Sequence, residues 1–270
     1  MASSRSTDPE DYQRIATPVA AMPKDFPPGY YIAPHSHERA QLVYAIRGVM
    51  RVTTEQGTWV VPPQRALWIP PRQRHEIRMG AAPVAMRTLY VATATAAALP
   101  ARCQVIEVSD LLRALILAAM DEPVEYAANS RGAAIAQLLL HELRGVPELP
   151  LHLPMPIDAR LKAVCHRVLE SLSDDLDIET LAGDAGMSSR SLARLFQRET
   201  GMGFQAWRQQ ARLAEALARL SSGRPVALVA SDLGYASAAA FTAMFRRALG
   251  TTPGKYFSRD SSPSARARSR

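Results

Sequence analysis

Two histidines stand two residues apart in "GYYIAPHSHERAQLVYAIRGVMRV", residues 29–52, and a third, His75, follows in "IPPRQRHEI". Imidazole nitrogens suit zinc, nickel, copper and iron. His35, His37 and Gln41 share parity, so one continuous strand would turn all three to the same face, where His75 could join them from a later strand. The set lacks a carboxylate. A neutral glutamine is a much poorer metal ligand, and a catalytic site needs a charged fourth ligand or an open position with a base beside it. The favoured reading is a pocket in which His35, His37, Gln41 and His75 hydrogen-bond a small ligand or each other, with Tyr44, Trp59 and Trp68 as apolar walls. No cofactor is expected, and a metal held by His35, His37 and His75 is the alternative. Arg72 and Arg74, beside His75, would favour an anionic ligand if they face the pocket and are otherwise ordinary surface cations.

The second source of chemistry is positive charge. Lys and Arg number 32 against 25 Asp and Glu, with 15 against 14 in residues 1–150 and 17 against 11 in residues 151–270. The surplus therefore lies almost wholly in the second part, which points that part toward an anionic partner such as nucleic acid. The two cysteines, Cys103 and Cys165, match no zinc or redox spacing and read as small apolar residues in a reducing compartment. The N-terminus lacks the apolar stretch of a signal peptide and no run of about 18 uncharged apolar residues occurs, so a cytoplasmic protein without a membrane partner is expected.

These groups need elements to position them. Residues 1–28 read as a partly disordered arm. From 29 to about 92, short runs of Val, Ile, Tyr, Trp and Thr alternate with turn residues, which predicts a small β-barrel over 29–100. Residues 101–146 carry helical periodicity in "SDLLRALILAAMDE" and "SRGAAIAQLLLHELRG", each behind a serine able to cap the start. This predicts a helical hairpin, with enough apolar surface to cover the barrel and to meet a second subunit in a homodimer. Four prolines in residues 145–156 predict a stiff linker over 147–156. The rest is helical to about Phe257, before a polar, basic tail over 259–270 that reads as disordered.

The helical part repeats. "LAGDAGMSSRSLARLFQRETGMGFQAW" aligns with "VASDLGYASAAAFTAMFRRALGTTPGKYF": Ala182 and Gly186 match Ala230 and Gly234 at a spacing of 48, and Phe196, Gly201 and Trp207 match Phe245, Gly250 and Tyr256 at 49. Each copy has a small residue where two helices cross, a glycine four later for the turn, and apolar residues that hold the second helix to the first. Two helix-turn-helix units in register are thus predicted, joined by the long helix of "FQAWRQQARLAEALARL".

Residues 157–258, above all "SDLGYASAAAFTAMFRRALGTTPGKYF" with Gly234, Tyr235, Phe241, Phe245, Arg246, Gly250, Pro253 and Tyr256, resemble the DNA-binding domain of the AraC/XylS family of bacterial transcription regulators. In the first unit Ser189, Arg190, Ala193, Arg194 and Gln197 are the expected contacts. The resemblance implies that Arg190 and Arg194 face base edges, where arginine can bond guanine in a bidentate manner. In the second unit Ser237, Ala238, Ala239 and Thr242 give little discrimination, so that unit is expected mainly to position the protein, with Arg246, Arg247 and Lys255 near phosphate. The first half resembles a cupin domain, which often serves as the sensor in that family. Gly29, His35, His37, Gln41 and Gly48 fit the first cupin motif with glutamine in place of glutamate. In the second motif Pro70 and His75 match, Arg72 replaces the inner glycine, and Met79 stands where asparagine is usual.

The expected fold class is therefore α+β: a cupin-like barrel and helical hairpin, then an all-α domain with two helix-turn-helix units. The expected function is regulation rather than catalysis, through binding to double-stranded promoter DNA under control of a small-molecule effector, with RNA polymerase as a further partner of an activator. The alternative is a metal-dependent cupin enzyme, a dioxygenase or isomerase, with a helical appendage.

Overall fold

The computed structural model describes residues 5–146, 148–149, 151–174 and 176–258. The disordered tail expected over 259–270 and the first residues of the expected arm lie outside them. A single 3-10 turn, Pro9–Tyr12, leads into eight strands: β1 (Val19–Phe26), β2 (Tyr31–His35), β3 (Ala40–Arg47), β4 (Met50–Thr54), β5 (Gly57–Val61), β6 (Arg65–Ile69), β7 (His75–Met79) and β8 (Val84–Val91). A short helix α1 (Thr93–Ala96) and strand β9 (Gln104–Glu107) precede the hairpin of α2 (Asp110–Asp121) and α3 (Arg131–Leu143). Strands β10 (Glu148–Leu149) and β11 (His152–Pro154) follow. The remainder is helical: α4 (Ala159–Glu170), α5 (Ile178–Asp184), α6 (Ser189–Thr200), α7 (Phe204–Ser221), α8 (Val226–Asp232), α9 (Ala238–Leu249) and α10 (Pro253–Ser258). No helix among the described residues is long and apolar enough to cross a membrane.

The strands form two antiparallel sheets, ordered β1-β8-β3-β6-β9-β10 and β11-β5-β4-β7-β2. Period-two alternation makes the first sheet two-faced. Val43 and Ala45 of β3, Leu67 and Ile69 of β6, and Met86 and Tyr90 of β8 enter the core between the sheets. Leu42, Tyr44, Ala66, Trp68 and Leu89, of opposite parity, join a separate core against the hairpin. There Leu112, Leu115 and Ile116 of α2 and Ile135, Leu139 and Leu143 of α3 are buried, while Leu111 and Leu138 remain exposed. Both helices start on the serines expected to cap them: the side-chain oxygens of Ser109 and Ser130 accept from the amides of Leu112 and Ala133.

Two segments differ from the expectation. The arm is a strand: β1 pairs with β8 along its whole length, from Val19 opposite Val91 to Phe26 opposite Val84. Pro23 interrupts its strand signal, but β1 is a sheet edge, where a missing amide donor leaves no ladder bond unmade. The proline-rich stretch is also paired. β10 extends the first sheet on β9, and β11 extends the second on β5, so the segment joins both sheets instead of hanging between domains.

The helical repeat is repeated structure. Ser188 caps α6 through the Ser191 amide, and Ser237 caps α9 through the Ala240 amide. Gly201 and Gly250 close the same helices in the left-handed conformation. The turns at Gly186 and Gly234 also need positive φ, 64° and 74°. They differ in surroundings: a Cβ at Gly186 would meet nothing within 4 Å, whereas one at Gly234 would lie 2.5 Å from the Ser173 carbonyl oxygen.

The helical domain docks at matched points on the second sheet and on the β5–β6 loop. Trp207, fully buried on α7, donates its indole N–H to the Pro154 carbonyl at 2.7 Å. Its repeat mate Tyr256 donates its hydroxyl to the Pro63 carbonyl at 2.8 Å. Gln210 donates to the His152 carbonyl, and Arg51 of β4 pairs with Glu215 of α7. Glu215 also accepts from Arg219 at 2.8 Å, and Arg219 reaches Asp232 of α8 at 3.1 Å. Burial alone would raise the Glu215 pKa, but the hydrogen bonds from Arg219 and Arg51 hold it below the ordinary carboxylate range.

The two turn glycines make a test of the packing. Gly186→Ala should cost about 1–2 kcal/mol from left-handed strain alone. Gly234→Ala should cost about 1–3 kcal/mol more, because the methyl group must displace backbone at Ser173. Urea midpoints at constant m-value measure both. Equal losses would show that the Ser173 turn yields freely.

Candidate functional site

The histidines do not lie on one strand. β2 ends at His35 in the second sheet, and β3 starts at Ala40 in the first, so residues 36–39 cross between the sheets. The crossing is fastened by the Arg72 amide, which donates to the His37 carbonyl at 2.7 Å, and by buried Arg39, which donates to the Thr17 carbonyl at 2.8 Å. Arg72, at the place of the cupin glycine, keeps a glycine-like φ of 62°. His35, His37 and Gln41 therefore converge on the interior from opposite walls, and shared parity is not the cause.

The cluster is tight. His35 and His75 are direct register partners on β2 and β7, with ring centroids 4.3 Å apart, and the His37 ring lies 4.8 Å from His35 and 5.7 Å from His75. One ring nitrogen from each of the three lies within 4.8 Å of the others. The Nδ1–H of His35 donates to the Ala33 carbonyl at 2.7 Å, and that of His75 to the Gln73 carbonyl at 2.8 Å. A carbonyl can only accept, so each Nδ1 carries the proton and each Nε2 presents a lone pair. The Nε2 of His75, both ring nitrogens of His37 and the Oε1 of Gln41 are buried without a hydrogen-bond partner. A buried polar group left unpaired costs about 1–3 kcal/mol, so these atoms favour a partner from the cavity, water or ligand.

Burial also fixes the charge state. It pulls His37 down to about 3, with His35 and His75 adding repulsion. Burial pulls His75 down to about 4, with a smaller repulsion from His35, against the opposing pull of the Gln73 carbonyl. Both rings are neutral near pH 7. Burial raises Tyr90, whose ring meets the His37 ring edge-on at 5.2 Å and whose backbone faces Gln41 across β3 and β8.

A cavity of about 280 Å³ opens onto His35, His37, Gln41 and Tyr90, with Met22, Lys24, Phe26, Ile77 and Met86 as further walls. The expected aromatic walls are elsewhere. Tyr44 and Trp68 have the parity of the outer face and pack toward the hairpin, where the Trp68 indole donates to the Pro100 carbonyl at 2.7 Å. Trp59 faces inward but sits on β5, three strands from β2 and hence about 14 Å away, stacked on His152. Arg72 pairs with Glu38 at 2.8 Å on the exposed surface, and Arg74 is exposed beside it, so the cation on the cavity wall is Lys24. Tyr90 and Lys24 carried no motif signal. The pairing of β8 with β3, and of β1 with β8, brings them in.

At the other end, the second helix of each unit offers an exposed face. On α6, Leu192 and Phe196 are buried while Arg190, Ala193, Arg194 and Gln197 are exposed and Ser189 is half-buried. On α9, Phe241, Met244 and Phe245 are buried, Ser237, Ala238, Ala239, Ala243, Arg246 and Arg247 are exposed, and Thr242 is half-buried. The alanines leave a shallow concavity over Ala238, Ala239, Thr242, Ala243 and Arg246. Lys255 on α10 is exposed as well. Neither face takes part in the docking on the second sheet described above.

Comparison with known proteins agrees with both halves. A family model described as an AraC-like ligand binding domain matches residues 27–185, and one described as a helix-turn-helix domain matches residues 181–259. The HTH-type transcriptional regulator NimR of Escherichia coli (strain K12) is 35% identical over 225 residues, covering 83% of this chain and 82% of that protein. The arabinose operon regulatory protein of the same strain is 30% identical over 124 residues, 45% of this chain and 41% of that protein. Among solved structures, the DNA-binding domain of AdpA in complex with a target DNA is 35% identical and covers 38% of this chain and 93% of that one, with a TM-score of 0.36. With a ligand-binding-domain match across more than half its length and a relative aligned over most of both chains, the protein belongs to the AraC/XylS family of DNA-binding transcription regulators.

Proposed function

We propose that the chain binds a specific promoter sequence as a homodimer, that it reads bases mainly with α6, and that a small effector in the cavity beside His35, His37, Gln41 and His75 controls it. The observation that carries the DNA reading is the exposed second helix in each of two structurally equivalent units. Helix α7, 18 residues and so about 27 Å long, joins the two units, and readout of successive major grooves on one face would need their second helices about 34 Å apart. In this reading the exposed Arg190 and Arg194 contact guanine, with Ser189, Ala193 and Gln197 around them. The surface of α9 offers methyl groups from Ala238, Ala239 and Thr242 and the hydroxyl of Ser237. Arg246, Arg247 and Lys255 hold phosphate.

The docking supports the reading of effector control. The cavity is walled partly by β2 and β7, and the same sheet carries Arg51 on β4 and the carbonyls of β11 that α7 grips. A ligand that prefers one arrangement of that sheet thereby biases where α7 sits. Leu111 and Leu138, exposed on the hairpin, are the proposed dimer contacts.

Arg194→Ala should cost about 1–3 kcal/mol on the specific site and relax base preference, whereas Arg247→Ala should weaken all duplexes evenly and flatten the salt dependence. Titration against the upstream intergenic DNA and a random duplex separates the two; equal losses on both duplexes for Arg194→Ala would remove it as a base reader. For the dimer, light scattering should give twice the chain mass for the wild type and one chain mass for the Leu111→Glu, Leu138→Glu double variant. A monomeric wild type would overturn the dimer.

A further inference from the structure

We propose that α9 reads the 5-methyl groups of thymine, so that the part of the DNA site beneath the second unit is specified by methyl groups in its major groove and not by hydrogen bonds to base edges. This rests on the reading above of α9 as the DNA-facing helix of that unit.

The repeat shows what has been exchanged between the two helices. At the spacing of 49 that relates Phe196 to Phe245 and the capping Ser188 to Ser237, Arg190 and Arg194 of α6 correspond to Ala239 and Ala243 of α9. Ser189 corresponds likewise to Ala238, and Ala193 to Thr242. All three alanines of α9 are exposed, so packing within the chain does not demand their small size. They leave the shallow concavity bounded by Thr242 and Arg246, and its lining is mostly carbon. Polar atoms on this face are few. The Ser237 oxygen is engaged as the helix cap, accepting from the Ala240 amide at 3.1 Å, and Arg246 stands about one turn beyond Thr242.

The chemistry of the groove selects the occupant. Each base pair marks the major groove with donors and acceptors, and the thymine methyl is the one apolar mark among them. A face of alanine and threonine methyls complements that mark and gains nothing from the others. Side chains cut back to Cβ also bring the helix backbone nearer the base edges than the arginine face of α6 allows. Around the apolar patch Arg246 and Arg247 of α9 and Lys255 of α10 are exposed, and this cationic rim suits a polyanion and not an apolar protein partner. Burying one methyl group is worth about 4-fold in affinity, and two about 15-fold. That is a smaller share of the discrimination than the arginines of α6 supply, read from a different chemical feature.

The probe is the upstream intergenic duplex synthesised with 2′-deoxyuridine at single thymine positions inside the footprint, titrated with the full chain at one salt concentration. Deoxyuridine lacks the 5-methyl group and keeps every hydrogen-bonding group of thymine. Binding should weaken about 4-fold at each thymine that α9 covers. In the Ala239→Gln, Ala243→Gln double variant, which lays polar side chains over the concavity on an exposed helix face, thymine and deoxyuridine should bind alike at those positions. Arg194→Ala should leave the methyl dependence intact. If deoxyuridine is accepted without loss at every thymine of the footprint, by a chain that still prefers this duplex to a random one, methyl reading is overturned and the regulator reading stands. A methyl dependence that survives at full size in the glutamine double variant overturns the assignment to α9. A chain that binds the intergenic and random duplexes alike loses the regulator reading itself, and methyl reading with it.

Discussion

The indole N–H of Trp207 meets the Pro154 carbonyl inside a fully buried seam, and three otherwise separate elements come together at that bond. Trp207 is the first-turn aromatic of α7; Phe196 of α6 packs edge-on against it at 5.7 Å; and Pro154 ends β11, the outermost strand of the second sheet. The helix that presents Arg194 to solvent is thus one ring away from an edge strand of the second sheet. The repeat supplies a second such point, because Tyr256 occupies the place after α9 that Trp207 occupies after α6 and bonds the Pro63 carbonyl. A buried hydrogen bond contributes about 1 kcal/mol, but leaving an indole or phenol donor unmet inside the seam would cost more, so the domains slide only by breaking both contacts together.

That constraint gives the proline-rich segment its importance. Prolines exclude it from helix, and an edge strand tolerates them because the missing donors face away from the ladder. Strands β10 and β11 consequently extend both sheets, and the His152 and Pro154 carbonyls of β11 remain available for α7 to take. A flexible linker would leave the position of the helical domain to diffusion; strand pairing fixes it relative to the cavity. The Arg51–Glu215 pair and the Arg219–Asp232 pair continue this line from β4 through α7 to α8. Charge pairs at partly exposed positions are weak singly, so the chain of them orients more than it stabilises.

Much of the helical half was legible because its signals are local. A capping serine and a periodic apolar face specify α6 and α9, as they do α2 and α3, within a dozen residues each; a left-handed glycine closes α6 and α9, and the repeat checks itself at Gly186 and Gly234. The barrel was legible as a class but not as a surface. Parity within β3 separates Gln41 from Tyr44, yet nothing in the sequence says that residues 36–39 change sheets or that Trp59 lies three strands from His35. Pro23 hid β1, and the prolines of 147–156 suggested a linker, because a proline reads the same on an edge strand as in a loop. Tyr90 and Lys24 reach the cavity by long-range pairing alone, which has no local signature.

The replacement of glutamate by glutamine at position 41 acquires a different sense once the walls are seen to come from opposite sheets. A carboxylate there would place a fixed negative charge on the cavity wall. The amide keeps the oxygen in place and withholds the charge. His37 and His75 are held neutral by burial, so the cavity presents lone pairs without a competing proton near pH 7. The crossing at 36–39 has its ends in different sheets, and His37 sits within it opposite the register-paired His35 and His75. Any ligand that draws these three rings together therefore pulls the two sheets toward each other at one edge. At the other end of the second sheet lies β11, with Trp207 bonded to it. The histidine rings and α7 thus lie at opposite ends of one sheet, which is the physical connection that the proposed control of DNA binding would use.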